Sequence, residues 1–121
     1  MRGLVFCSFL LVLASCKSSG EKALPKGLVK DSIIPQNEMI SILADVHILE
    51  SALQFESSRN KNISTMHDFY YRKLFSDYKI SRRKFSLNLN YYEMDPENLR
   101  KMYGEVVKKL ENREKLVNPP K

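Results

Sequence analysis

A chain of 121 residues with 43% hydrophobic content has the length of one small domain. Its formal charge of +6 comes from 20 Lys and Arg scattered among 14 Asp and Glu. Only Ser81-Arg82-Arg83-Lys84 forms a tight basic cluster, so the charge reads as solvated helix faces rather than a nucleic-acid footprint.

The first element is "MRGLVFCSFLLVLASC". A basic start at Arg2 precedes an apolar run from Leu4 to Ala14, too short for a bilayer, which takes about 20 residues. It has the form of a secretory signal peptide over residues 1–15. Leu13-Ala14-Ser15-Cys16 resembles the bacterial lipobox, which implies cleavage before Cys16 and acylation of that residue. Cys7 would leave with the signal peptide and Cys16 would carry lipid. The mature chain would then hold no disulfide and no Cys metal ligand.

Residues 16–32 read as the lipidated N-terminus and a flexible linker. "KSSGEKALPKGLVKDS" mixes Ser, Gly, Pro and Lys without a sustained period. Lys17, Lys22, Lys26 and Lys30 are placed to brush anionic headgroups. A helical domain is expected over residues 33–117, with a disordered tail at 118–121. The expected fold class is all-α, a small bundle of about four helices.

The first helix is expected from about Pro35 to Glu56, with Pro35 in the first turn. "SSRNKNIS" breaks the pattern. The second helix should run from about Thr65 to Tyr78, with Ser64 or Thr65 as cap. The third follows a Ser81 cap and reaches about Glu93. "MDPEN" restarts the chain: Asp95 caps, Pro96 takes the first turn and Glu97 suits the positive dipole end. The fourth helix then runs to about Leu116, with Leu99, Met102, Tyr103, Val106, Leu110 and Val117 in one stripe. Short connections predict antiparallel neighbours.

"ADVHILE", residues 44–50, carries an Asp, a His and a Glu within six positions. At about 100° per residue, Met39, Leu43, Val46 and Leu53 share one face, and Glu50 falls inside it. His47 lies on the border of that face. Asp45 lies off the opposite edge and reads as solvated. The three cannot form one single-helix site. A carboxylate in an apolar stripe must be paired, hydrogen-bonded or protonated. Glu50 could hold the bundle together through one of the Tyr residues or an Arg, rim a partner groove, or act as an acid–base group. No nucleophile stands beside it, so a catalytic role has the least support.

The second helix carries Tyr70, Tyr71, Leu74, Phe75 and Tyr78 with His67 among them, a pattern more common in cores than in binding platforms. Two His and a Glu from two helices make a legitimate zinc set. His47, Glu50 and His67 are therefore the alternative, metal-binding reading. Tyr91 points away from the face of Phe85, Leu89 and Tyr92 and is a candidate exposed contact, with His47 and Glu50. No residue pattern calls for a cofactor, and none sets a catalytic residue.

"IIPQNEMISILADVHILESAL" and "YYRKLFSDYKISRRKFSLNLNYYEMDPENLRKMYGEVVKKL" together resemble the Bacteroidota lipoprotein family filed as domain of unknown function 4296. The likeness spans about Ile33 to Leu110. It rests on Asp45, His47, Glu50, Tyr78, Phe85, Tyr91, Tyr92, Pro96 and Tyr103. It implies an all-helical envelope lipoprotein with no assigned reaction. "YKISRRKFSLNL" is also similar to helical turns in periplasmic chaperone N-domains. The lipoproteins that reach the cell surface in that group carry acidic residues after the Cys, whereas Lys-Ser-Ser-Gly follows Cys16. The outer membrane facing the periplasm is the expected location. The expected role is non-enzymatic: membrane attachment through Cys16 and binding of another envelope protein, with no nucleic acid.

Overall fold

The structure, a computed structural model, describes residues 23–59 and 63–119. The expected signal peptide, Cys16, the linker as far as residue 22 and the last two tail residues lie outside the described residues. A 3-10 turn at Lys30–Ser32 leads into four helices: α1 (Gln36–Arg59), α2 (Ser64–Asp77), α3 (Arg82–Glu93) and α4 (Pro96–Val117). There is no strand among the described residues. The fold is all-α, as the patterning predicts.

Local chemistry sets the helix ends. Ser81 accepts a hydrogen bond from the Lys84 amide at 3.0 Å, and Asp95 accepts one from the Asn98 amide at 3.1 Å. These satisfy amides that the first turn leaves without helical partners. The expected Ser64 or Thr65 cap does not form. Helical geometry reaches back to Ile63, which has no side-chain acceptor. At the end of α2 the chain closes in a Schellman turn. The Ile80 amide donates to the Phe75 carbonyl at 3.0 Å and the Lys79 amide to the Ser76 carbonyl at 2.9 Å. Lys79 sits at φ 53° in the left-handed position that Gly usually takes.

Side-chain pairings fix the directions. Glu50 meets Tyr71 and Asp45 meets Tyr78, so α1 and α2 are antiparallel. The two-residue link between α3 and α4 turns the chain back on itself. Gln36 pairs with Asn98, and His47 lies against Tyr103, so α1 and α4 run parallel. Theirs is the most extensive helix contact. The antiparallel expectation therefore holds for α1 with α2 and for α3 with α4. It does not bear on α1 and α4, whose connection is the whole of α2 and α3.

The core is built from Met39, Ile42, Leu43, Ala44 and Leu53 of α1, Tyr71 and Phe75 of α2, Tyr92 of α3, and Met102 and Val106 of α4. Burial of this apolar surface is the main stabilising term. Four of the six stripe residues on α4 are used. Leu99 and Leu110 pack against the core, but Tyr103 and Val117 remain exposed.

The linker boundary needs correction. Leu28 is buried, and its amide donates to the Pro25 carbonyl at 2.9 Å. Residues 25–32 therefore belong to the packed unit. Asn88, with 0% exposure, explains how the lead-in is held. Its Oδ1 accepts from the Ile34 amide at 2.7 Å, and its Nδ2 donates to the Ser32 carbonyl at 3.2 Å and the Lys84 carbonyl at 2.9 Å. The Tyr92 hydroxyl donates to the Ile34 carbonyl at 2.6 Å. Ile34 precedes Pro35, which disfavours the helical conformation there. Its backbone groups are buried without a ladder, so side chains of α3 must satisfy them.

Candidate functional site

Side chains of all four helices meet at one cleft of about 380 Å³. Its apolar lining is Leu43, Val46, Phe75, Phe85 and Leu89. His47 and Glu50 of α1, Tyr71 of α2, Arg82 of α3 and Tyr103 of α4 supply the polar groups. A neighbouring hollow of about 510 Å³ between α2 and α3 shares Tyr71, Phe75 and Arg82 with it. We take the cleft as the site because it collects the imidazole, the carboxylate, the guanidinium and two phenols.

Tyr71 is the centre of this arrangement. Its ring is buried, with His67 at 4.6 Å, Phe75 at 5.9 Å and the Arg82 guanidinium at 5.3 Å from the ring centroid. Its hydroxyl donates to Glu50. Burial, then the hydrogen bond to Glu50 and the charge of Glu50, push the phenol up to about 12, with Arg82 opposing. Tyr71 is therefore a neutral donor at physiological pH, unsuited to act as a base or nucleophile. Its role is to hold Glu50 and wall the cleft.

Glu50 thus has the Tyr partner that its place in the apolar stripe demands. The residue is also exposed, so its carboxylate stands at the cleft rim instead of deep in the core. His47 is exposed and meets the Tyr103 ring edge-on at 5.9 Å. His67 stacks on Tyr71 and does not line the cleft. Among the described residues, no group of three His, Cys, Asp or Glu is placed to hold a metal, so His47, Glu50 and His67 do not form the expected ligand set. Tyr91 is half-buried, its ring 5.3 Å from that of Tyr92, and it is not the exposed contact its angle suggested.

Asp45 corrects the reading of a solvated edge. Its carboxylate accepts from the Tyr78 hydroxyl and from the Arg113 guanidinium, tying α1 to α2 and to α4. Burial first, then the bond to Asp45, raises the Tyr78 phenol well above the usual range. Arg82 is the cleft residue that the sequence reading missed. Its signal was the basic cluster at the start of α3, read only as surface charge.

The family model described as Domain of unknown function (DUF4296) matches residues 31–116. The chain belongs to that family. The matched segment begins inside the 3-10 turn and ends one residue before the end of α4, so the DUF4296 domain is the helical unit described above. No curated protein and no solved structure matches the chain.

Proposed function

We propose that this DUF4296 protein is a lipid-anchored lipoprotein of the bacterial cell envelope, acylated at Cys16 and facing the periplasm from the outer membrane. Its helical domain is a non-enzymatic, chaperone-like interaction module that binds a segment of another envelope protein. The observation that carries this reading is the cleft. Apolar walls from α1, α2 and α3, rimmed by Glu50, His47 and Arg82, suit a short peptide segment with an apolar anchor and polar flanks. Tyr71 and Tyr103 are the residue type that most often carries binding energy at protein interfaces. The lipobox-like Leu13-Ala14-Ser15-Cys16 supports the anchor.

The test is affinity capture from membranes under mild detergent, comparing wild type, Cys16→Ala and Leu89→Glu. A partner retained by wild type and lost with Leu89→Glu supports the cleft. Leu89 is half-buried at the cleft wall, so circular dichroism must show the variant folded. Equal recovery from wild type and the folded cleft variant would overturn the reading.

A further inference from the structure

We propose that the domain rests on the bilayer with residues 24–30 and the Arg83 side of α3 against anionic lipid headgroups. The tether part of this argument rests on acylation of Cys16; the charge and shape of the face do not.

Six residues, and so seven Cα–Cα steps, separate Cys16 from Ala23, the first described position. Fully extended, that chain spans at most about 25 Å. Residue 23 therefore lies within that distance of an acylated Cys16. The segment that follows cannot swing freely around the domain. Leu28 is buried, and a methyl built on Gly27 would lie 3.4 Å from Nη2 of Arg83 and 4.0 Å from Cδ1 of Leu87. Asn88 and Tyr92 then lock Ile34. The described chain thus starts beside α3, and an acylated Cys16 keeps that side within reach of the bilayer.

The same side has the chemistry of a headgroup contact. Lys26 and Lys30 of the lead-in and Arg83 of α3 are exposed. Residues 78–92 contain no Asp or Glu, and Asp31 is the one acidic residue between 23 and 34. The first turn of α3 carries Arg82, Arg83 and Lys84 and no acidic residue, against the sign that the helix dipole favours. The helix dipole does not call for that charge, and an anionic surface does. Val29 is 63% exposed and Leu24 38% exposed, interleaved with Lys26 and Lys30. Apolar side chains among cations are the pattern of a shallow interfacial contact. Arg82 follows a different direction, about 100° round α3 from Arg83, and lies over Tyr71. The cleft is thus left open to a partner while the Arg83 side meets lipid.

The experiment uses the purified full-length lipoprotein in nanodiscs of phosphatidylcholine, with or without phosphatidylglycerol. Intact mass first establishes whether Cys16 is acylated. A fluorophore is placed through Val29→Cys or, as a distant reference, Leu116→Cys, and a quencher is carried on the lipid. The expected result is several-fold stronger quenching at position 29 than at 116 in anionic discs. Lys26→Glu and Arg83→Glu should abolish that difference, and Lys108→Glu should not. Equal quenching at the two positions, or indifference to the Lys26 and Arg83 reversals, would overturn the proposed face. An unacylated Cys16 would overturn the anchor. Co-sedimentation of that same protein with vesicles then decides the face alone. Several-fold preference for phosphatidylglycerol, lost in Lys26→Glu, sustains it; equal recovery on phosphatidylcholine overturns it.

Discussion

The Tyr71 hydroxyl on α2 donates to the Glu50 carboxylate on α1, and one helix turn and a half earlier on α1 Asp45 accepts from Tyr78 in the same way. These two phenol–carboxylate bonds set the antiparallel register of α1 and α2. Both depend on the phenol remaining protonated. Tyr71 has its phenol raised from 10 to about 12 by burial and by Glu50, and Tyr78 is raised as well. For a group raised in the folded state, the stabilisation is complete below the unfolded value and is lost as pH climbs through the folded value. The urea midpoint should be flat from pH 7 to 9 and fall above pH 10. Tyr71→Phe should lower the midpoint at pH 7 and make the alkaline fall shallower. An unchanged slope in both Tyr71→Phe and Tyr78→Phe would remove these tyrosines as its cause.

Asn88 serves three backbone groups from a position with no exposure. Its replacement by Ala or Leu would strand the buried Ile34 amide and leave two carbonyls with one partner fewer. A loss of about 2–3 kcal/mol is expected from an unsatisfied buried donor and the lost bonds together. Chemical denaturation measures it. Hydrogen exchange at Ile34 should accelerate more than exchange in α4, because the lead-in segment is what Asn88 holds.

Lys79 occupies a left-handed position at φ 53°. An L-residue pays about 1–2 kcal/mol there, while Gly costs about 0.5–1 kcal/mol in unfolded-chain entropy. Lys79→Gly should therefore stabilise the domain, by about 0.5 kcal/mol, and Lys79→Val should destabilise it. Thermal melts of the pair give the sign directly.

Arg113 and Asp45 form an ion pair whose side chains are 37% and 31% exposed. Partial burial and the shared Tyr78 bond lift it above the usual surface pair. Arg113→Ala should cost about 1 kcal/mol, reduced at high salt. The Lys108–Glu105 pair, 67% and 55% exposed, is the contrast. Glu105→Gln should fall within about 0.5 kcal/mol of wild type. Equal effects at the two pairs would show that Asp45 is no more than a surface contact.

Much of the fold was legible in the chain. The "MDPEN" restart, the Ser81 cap and the apolar period of α1 place their helices because each signal acts within one turn. Glu50 announced itself as well, since a carboxylate in an apolar stripe must find a donor. Asp45 was misread for a matching reason. A helical wheel shows which direction a residue faces, but Arg113 lies 68 positions away and reaches Asp45 only after α4 has packed parallel to α1. Residues 25–32 were misread because their composition is that of a linker. Their order comes from Leu28 and from Asn88 on a distant helix.

The sequence by itself determined the helices, the Ser81 and Asp95 caps, the core stripe and the need for a partner at Glu50. All of these follow from interactions between residues a few positions apart. Only the tertiary structure decided that α4 runs parallel to α1, that Tyr71 is the partner, that Asp45 is clasped, and that Arg82 faces a cleft while Arg83 faces the lead-in. Those outcomes depend on which helix faces meet, and that is set by packing the whole apolar surface at once.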